Sequence, residues 1–355
     1  MRIQAFEKDQ GGAAPAPYVG GDPREPAPMT RLIDSLGRRF QYLRLSITEV
    51  CNFRCTYCLP NGYQKTQPAS FLTVPEIGRL VDVFAQLGVG KIRLTGGEPS
   101  VRRDVGEIIR RVRATPGIDK AAITTNGWNL ARNIDDWSAG GLTNLNVSID
   151  SLDREMFHRI TGHDRLPAVM AGLDRALELG VPSVKINAVL LKDAAGPSQF
   201  ARFADFVRTR PVAVRFIELM RTGDNADYFA RQHVGGQVLR SWLEAGGWTP
   251  RARGHDDGPA VEYVHPDHVG RIGLIAPYGA GFCDGCNRLR VTARGRLRLC
   301  LFGDGGIDLR GLLDEDAYRD ALAARVVGAL GGKAAGHRLA EQITGDTRHL
   351  AQLGG

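Results

Sequence analysis

Six cysteines are the residues of this sequence whose spacing most clearly predicts chemistry. They fall into two groups of three, and the chain has no other cysteine. Structural thiols would scatter among core positions, and the absence of an apolar signal segment argues against a disulfide framework. Two tight thiolate triads in a reducing compartment predict metal binding. The triads are Cys51, Cys55, Cys58 and Cys283, Cys286, Cys300.

The first triad has the spacing C-x3-C-x2-C and directly follows a predicted strand. Three thiolates on a short loop can hold three irons of a four-iron cluster, which leaves the fourth iron open to a substrate or cofactor. The alternative is a structural zinc site. Zinc usually takes a fourth protein ligand, and the neighbouring sequence offers none.

The second triad has the spacing C-x2-C-x13-C and also leaves one ligand position open. Arg288 and Arg290 lie between Cys286 and Cys300, on one face of a predicted strand, which indicates an anion beside the metal. The alternative here is a zinc site completed by a distant histidine: His265, His268 or His337.

Polar and glycine-rich segments follow several predicted strands. Thr95–Pro99 reads TGGEP, whose glycines allow close approach of the backbone to a ligand and whose Glu98 can accept from an ammonium group. Thr124–Gly127, Asn146–Asp150 and Glu218–Met220 also end strands. Each segment alone fits an ordinary turn or helix cap. Together they lie at the edge where parallel α/β sheets bind ligands.

Alternating segments predict the elements that position these residues. Six strand-like runs each precede a helix-like or polar stretch, which predicts parallel strands covered by helices. Six units fit a doubly wound sheet or a partial barrel and fall short of an eight-fold barrel. The predicted strands are Tyr42–Thr48, Lys91–Thr95, Ala121–Thr125, Asn144–Ser148, Val184–Leu190 and Val212–Leu219. The predicted helices are Val74–Leu87, Asp104–Arg113, Ala131–Ala139, Leu166–Leu179 and Ser198–Arg208, with a later one at Glu315–Leu330.

The two faces of the predicted strands differ in polarity. Helices need the apolar face, so the polar face points into a shared interior, most simply the concave side of an open or partial barrel. Four cations fall on this face: Arg44, Arg93, Lys185 and Arg215. Buried cations need anions. Either Asp and Glu side chains or a phosphate-bearing ligand neutralise them.

Composition fits a globular protein. The chain has 355 residues, of which 43% are hydrophobic and 24% charged, with 46 Lys and Arg against 39 Asp and Glu, a net charge of +7. No stretch approaches the roughly 18 apolar residues of a transmembrane helix. We therefore expect a soluble, cytoplasmic protein that does not contact a membrane.

The chain divides into four predicted regions. Residues 1–30 are rich in Pro, Ala and Gly and predict a disordered tail. The strand–helix units occupy 38–249, and Gly-rich turns and short strands at 250–345 predict a smaller C-terminal domain. A tail at 346–355 ends in Gly-Gly.

The motifs carry a resemblance to a known family. Residues 51–58, CNFRCTYC, resemble the cluster-binding loop of the radical S-adenosylmethionine superfamily, and GGEP resembles its amine-binding motif. Together with VSID, the CDGCNRLR segment, Cys300 and the Gly-Gly tail, they resemble the GTP 3′,8-cyclases, which open molybdenum cofactor biosynthesis. The resemblance extends from about residue 38 to the end of the chain.

The resemblance implies a fold and cofactors. The fold is α/β, a partial (β/α)6 TIM-like barrel with a smaller C-terminal domain closing its open side. The cofactors are two [4Fe–4S] clusters and S-adenosylmethionine. The open iron of the first cluster chelates the amino and carboxylate groups of S-adenosylmethionine, and the second cluster binds the guanine of GTP.

The resemblance also implies roles for individual residues. The S-adenosylmethionine contacts match Tyr57, Gly97, Glu98, Ser148 and Met220. The GTP contacts match Arg44, Lys91, Arg93, Thr124, Lys185, Arg215, Arg288 and Arg290. The catalytic set comprises Arg288, Arg290, Gly354 and Gly355. Two small departures are the long N-terminal tail and Leu59, where the family commonly has Met.

The implied reaction begins when one electron cleaves S-adenosylmethionine to methionine and a 5′-deoxyadenosyl radical. This radical takes hydrogen from C3′ of GTP, the C3′ radical attacks C8, and reduction gives (8S)-3′,8-cyclo-7,8-dihydroguanosine 5′-triphosphate. The implied partners are an electron donor of the flavodoxin or ferredoxin type and the downstream cyclic pyranopterin monophosphate synthase. A homodimer is left open.

Two other functions fit parts of the sequence. A radical S-adenosylmethionine peptide maturase with an auxiliary cluster usually has more than three C-terminal cysteines. A zinc-stapled nucleic-acid-binding protein would place its cations on an exposed surface among aromatic side chains. Because aromatic residues are only 7% of the chain and the key cations fall on the interior face, we expect no nucleic-acid partner.

Overall fold

The computed structural model describes residues 31–65, 70–252 and 258–354. The disordered tail predicted for residues 1–30 and the role predicted for Gly355 therefore lie outside the described residues. No helix in the described part of the chain is both long and apolar enough to cross a membrane.

Twelve strands and nine α-helices make up the described fold, with short 3₁₀ turns between them. The strands are β1 Tyr42–Thr48, β2 Lys91–Gly96, β3 Lys120–Thr125, β4 Asn144–Ser148, β5 Ser183–Leu190, β6 Ala213–Glu218, β7 Thr249–Pro250, β8 Val261–Val264, β9 Arg271–Ile275, β10 Arg288–Val291, β11 Arg296–Arg298 and β12 Ile307–Asp308. The helices are α1 Val74–Gln86, α2 Val105–Ala114, α3 Leu130–Ala139, α4 Arg154–Thr161, α5 Leu166–Glu178, α6 Pro197–Thr209, α7 Ala226–Gln232, α8 Gln237–Ala245 and α9 Arg319–Ala329.

Helix α1 illustrates how local sequence sets the element boundaries. Thr73 and Glu76 form a reciprocal capping box, and Pro75 occupies the first turn, where its missing N–H costs nothing. Apolar side chains at helical spacing, among them Ile77 and Phe84, are fully buried against the sheet. Gly88, with φ +87°, turns the chain toward β2.

All twelve strands belong to one sheet, in the order β12-β11-β10-β1-β2-β3-β4-β5-β6-β9-β8-β7. Strands β1 to β6 are parallel neighbours in chain order. The C-terminal part adds a parallel strand at each edge, β10 beside β1 and β9 beside β6. The sheet is not closed into a ring, so the predicted partial barrel is confirmed.

The C-terminal segment contributes to both edges of this sheet. Because β6 pairs with β9 along five residue pairs, the sheet continues across residue 250. The boundary between residues 249 and 250 stays a prediction, since the described structure has one continuous sheet there.

The structure contains elements that the sequence prediction lacks. Helix α4 lies between β4 and α5, and α7 and α8 follow β6. These helices are short, and α7 has no buried residue, so their periodic signal is weak. The helix predicted at Glu315–Leu330 begins at Arg319, after a 3₁₀ turn over Asp316–Tyr318.

Candidate active site

Two adjoining cavities open at the concave side of the sheet. The first has a volume of about 160 Å³ and is lined by the first cysteine triad and the carboxyl ends of β2 to β6. The second, of about 150 Å³, is lined by the second triad and by basic side chains. Asn187, Ile217 and Met220 line both cavities, so the two triads face one continuous hollow.

The first triad sits on the loop after β1. The amides of Cys58 and Leu59 donate to the Cys55 carbonyl at 2.9 and 3.0 Å, which turns the loop tightly. The amides of Arg54 and Thr56 donate to carbonyls at the end of α4 at 3.0 and 2.9 Å. Helix α4, which the sequence prediction lacks, therefore holds this loop in place.

The thiols of the first triad fit a metal cluster. Burial, with a smaller contribution from nearby negative charge, raises the pKa of Cys51 to about 11 and that of Cys58 to about 12. Bound iron would supply the positive charge that ionises these thiols. The backbone amides of Leu350 and Ala351 reach the Cys58 sulfur, the kind of hydrogen bond that tunes iron–sulfur clusters.

The five residues predicted to contact S-adenosylmethionine all line the first cavity: Tyr57, Gly97, Glu98, Ser148 and Met220. A Cβ on Gly97 would lie 2.3 Å from the Val50 carbonyl oxygen, so the close approach of the two loops requires glycine. The fully buried Glu98 accepts from Thr125 Oγ1 at 2.6 Å and from the Asn126 amide at 2.5 Å. Its carboxylate therefore joins the ends of β2 and β3.

Asp150 is a cavity residue that the sequence analysis names only as the end of the segment Asn146–Asp150, without a role. It accepts from the Tyr57 hydroxyl at 3.0 Å and from the Val189 amide at 2.8 Å. Burial raises its pKa to about 6. The signal that could have assigned its role is a carboxylate two residues after the end of β4.

Seven of the eight residues predicted to contact GTP line the second cavity. Arg44 is the register partner of Arg290 on β10 and of Arg93 on β2, so three arginines form one row across neighbouring strands about 4.8 Å apart. The eighth, Thr124, lines the first cavity and contacts Arg93 Nη1 at 3.1 Å. The seven are Arg44, Lys91, Arg93, Lys185, Arg215, Arg288 and Arg290.

Buried polar atoms in the second cavity lack hydrogen-bond partners within the described part of the chain. They include Nε of Arg215, Arg288 and Arg290 and the side-chain oxygens of Asn146 and Asn187. Unsatisfied buried donors are rare in folded proteins and mark a place where a ligand or water completes the network. The three arginine donors among them fit an anionic ligand with many acceptor oxygens.

Crowding of like charges changes the ionisation of these groups. Burial and then the neighbouring Arg215 lower the pKa of Lys185 to about 7. Burial and then Arg44 lower the pKa of Arg290 to about 9. An anion bound among them would reverse both shifts.

Tyr42 and Glu262 are two further residues of this region that the sequence prediction lacks. The Tyr42 hydroxyl accepts from Arg93 Nε at 2.6 Å. Burial opposes ionisation of this phenol, but nearby cations, led by Arg93, outweigh burial and lower its pKa to about 6. Glu262 on β8 pairs with Arg215 and Arg271, each at 3.0 Å. Over residues 31–65, 70–252 and 258–354, no carboxylate pairs with Arg93, Arg288 or Arg290.

The C-terminal tail reaches the row of arginines. Arg44 donates to the Gly354 carbonyl from Nε at 3.1 Å and also from Nη2. Gly354 has φ +62°, and a Cβ there would lie 2.2 Å from the Thr95 side chain. Both the backbone conformation and the space therefore require glycine.

The second triad faces the basic cavity together with His337. The His337 amide reaches the Cys283 sulfur, and Arg288 and Lys333 lower the pKa of Cys286 against the opposing effect of burial. His265 and His268 pack against Trp248. Of the three histidines considered as zinc ligands, His337 is the one that lines this cavity. Three thiols with an open side toward the cavity fit a cluster with one free iron.

Comparisons with known proteins identify the superfamily of this chain. The Radical SAM superfamily model matches residues 45–196, and the model described as Molybdenum Cofactor Synthesis C matches residues 212–339. The crystal structure of Streptococcus suis SuiB bound to S-adenosylmethionine aligns with TM-score 0.55 at 14% identity, over 82% of this chain and 65% of that one. This likeness concerns the fold alone. The fold and the paired cavities thus define a radical S-adenosylmethionine enzyme.

Curated relatives identify the family to which the chain belongs within this superfamily. The GTP 3′,8-cyclase of Stenotrophomonas maltophilia is 58% identical over 327 residues, which are 92% of this chain and 100% of that protein. Those of Vibrio cholerae and Synechococcus elongatus are 53% and 52% identical, over 91% and 92% of this chain and 97% and 100% of their own lengths. The chain belongs to the GTP 3′,8-cyclase family. This membership favours the cyclase over the peptide maturase and the nucleic-acid-binding protein.

Proposed function

We propose that this protein converts GTP to (8S)-3′,8-cyclo-7,8-dihydroguanosine 5′-triphosphate, the first step of molybdenum cofactor biosynthesis. The observation that carries the proposal is the hollow itself. One half has the first triad and the GGEP turn, and the other has the second triad and seven cations. A nucleoside triphosphate would bring negative charge to this group of basic residues and a base that can approach the second triad.

The first cavity would hold S-adenosylmethionine on a cluster bound by the first triad. When bound, the cluster supplies the electron that cleaves S-adenosylmethionine and so generates the hydrogen-abstracting radical. The protein's own residues would bind and orient S-adenosylmethionine. Gly97 lets the GGEP turn pack against the loop at Val50, Glu98 fixes the strand ends, and Tyr57 is held by Asp150. Ser148 and Met220 complete the wall.

The second cavity would hold GTP. The basic residues would bind the triphosphate; among them, Arg288 and Arg290 lie on β10 and line the same cavity as the second triad. Gly354 would bring the tail against Arg44 beside the reacting ribose. The strand ends and the tail residues Leu350 and Ala351 line the first cavity and would limit the access of water during the radical steps.

The deciding experiment is anaerobic incubation of the reconstituted protein with S-adenosylmethionine and dithionite, with and without GTP. We expect 5′-deoxyadenosine in excess only when GTP is present, together with a cyclised product that has the mass of GTP. Equal 5′-deoxyadenosine with ATP in place of GTP would contradict the substrate assignment.

Arg290→Ala provides the matched variant for the GTP site. Arg290 is buried in the second cavity, and its loss removes one member of the arginine row. We expect at least a hundredfold lower kcat/KM for GTP, about 2.7 kcal/mol, with S-adenosylmethionine binding retained. Arg132→Ala on the exposed surface of α3 serves as control. Wild-type kinetics for Arg290→Ala would place this residue outside the site.

The expected partners belong to the same proposal. One-electron chemistry needs a donor, for which a flavodoxin or ferredoxin is the natural class. The product needs a consumer, the cyclic pyranopterin monophosphate synthase. The proposal places the reaction in the cytoplasm and leaves a homodimer open.

A further inference from the structure

Two buried cations hold the segments around the second triad without lining the basic cavity. Arg38 is 9% exposed and Lys333 is 6% exposed. They come from distant parts of the chain, and neither belongs to the predicted GTP set. Burying two cations is costly unless each is well hydrogen-bonded, so their contacts indicate what they stabilise.

Arg38 is aimed by a short turn near the start of the described chain. Asp34 accepts from the Arg38 amide at 2.9 Å and from Arg38 Nε at 2.7 Å. The far side of the guanidinium then donates to three carbonyls, those of Cys283 at 3.2 Å, Ala335 at 2.5 Å and Ala334 at 2.8 Å. One planar group thereby joins the loop of the second triad to residues 334–335.

Lys333 acts on the other cysteine segment. Its Nζ donates to the carbonyl of Leu299, the residue before Cys300, and lies 5.1 Å from the centre of the Phe40 ring. The next residues touch the triad as well, because a Cβ on Gly336 would lie 3.4 Å from Cys283 Sγ. Burial lowers the pKa of Lys333, and the Cys286 and Cys300 sulfurs oppose that shift. The ammonium lies close to the Cys300 segment, because its hydrogen bond is to the residue before that cysteine.

We propose that Arg38 and Lys333 are positioning residues for the second cysteine triad, which fix its two separate segments and stabilise the reduced state of the cluster bound there. Cys283 and Cys300 lie on different loops, so something must fix their separation. The two cations do so through carbonyl groups. Reduction adds a negative charge to the cluster, and a fixed positive charge nearby favours that state. The inference rests on the proposed function in one respect, the presence of an iron–sulfur cluster at this triad.

The test measures redox potential rather than turnover. The reconstituted holoprotein is titrated with dithionite under electron paramagnetic resonance, with GTP used to mark the second cluster's signal and S-adenosylmethionine the first. For Lys333→Met we expect the reduction equilibrium of the second cluster to weaken at least tenfold, about 59 mV for one electron. The first cluster should not change. Lys333→Arg, which keeps the charge, should remain within threefold of wild type.

Arg38→Lys tests the positioning part, with its exposed neighbour Arg39→Lys as the matched control. Lysine keeps the charge but cannot donate to three carbonyls and Asp34 together. We expect a chelator to remove iron from the second cluster at least fivefold faster in Arg38→Lys and at the wild-type rate in Arg39→Lys. Equal rates in both variants would overturn this part.

Other outcomes remain decisive. If Lys333→Met does not retain the second cluster, recovery of the cluster in Lys333→Arg supports the proposal and its absence there overturns it. An unchanged potential in fully loaded Lys333→Met, or equal shifts of both clusters, would also overturn it. Wild-type protein without iron at the second triad would instead refute the proposed function. If the wild-type protein cyclises GTP but the variants match it in reduction potential and in the rate of iron loss, this inference alone is refuted.

Discussion

The pKa of Lys185 leads to a measurable proton uptake on GTP binding. In the free protein this pKa is about 7, because the ammonium is buried beside Arg215. A triphosphate next to it favours the charged form and raises the pKa. At pH 8 about nine-tenths of the free protein has neutral Lys185, so GTP binding should take up about 0.9 proton at this site.

The direction of this pKa shift determines how the affinity for GTP depends on pH. Because the bound pKa is the higher one, affinity is greatest below pH 7 and falls as pH rises between the free and bound pKa values. The fall approaches about tenfold, or 1.36 kcal/mol, per pH unit. Tyr42, with a pKa of about 6, adds uptake in the same direction as the phosphates approach.

Isothermal titration calorimetry measures the uptake directly. Anaerobic protein is titrated with GTP at pH 8 in two buffers of different ionisation enthalpy, and the difference in heat gives the number of protons. Lys185→Arg stays protonated throughout and should reduce the uptake by about 0.9 proton. The exposed Lys192→Arg should behave as wild type. Equal uptake in wild type and Lys185→Arg would refute the reasoning.

Three further predictions concern other parts of the site. Gly354→Ala should lower kcat for cyclisation at least tenfold, because its Cβ would overlap Thr95 and its φ is +62°. Gly331→Ala, in open space, is the control, and similar rates for the two variants would contradict the close fit. Glu262→Gln should reduce the free energy of unfolding in urea by about 3 kcal/mol, because Arg215 loses a buried partner. GTP should restore part of the lost stability, and an unchanged urea midpoint would contradict the prediction. Cys283→Ser should reduce iron from about eight to about four atoms per chain and stop cyclisation, and undiminished turnover would remove the second triad from the mechanism.

The sequence predicts much of this site because successive side chains along a strand point to opposite faces of the sheet. Arg44 and Arg93 lie on the polar faces of their strands, and parallel pairing places such residues side by side. The spacing of the first triad defines its loop without any tertiary information. The residues that line both cavities come mainly from strand ends, where the topology of parallel sheets already places ligands.

What the sequence could not predict depends on long-range pairing. Glu262 meets Arg215 across 47 residues, through an antiparallel strand too short to give a clear signal. Arg38 reaches Ala335 across 297 residues, and nothing near either residue indicates the contact. Thr124 lies two residues beyond Ala122, the register partner of Arg93, and so lines the first cavity at the carboxyl end of β3. Periodicity assigns a face to a side chain but not its depth along the strand.

The pairing of β10 with β1 and of β9 with β6 determines how the chain can be cut in the laboratory. A fragment that stops near residue 250 would keep the pairing of β1 with β2 and of β6 with β5, but the outer edge of each strand would lose its partner. Bare parallel edges invite intermolecular strand addition. Such a truncation should therefore yield insoluble aggregates, and limited proteolysis near this point should release no separately stable half.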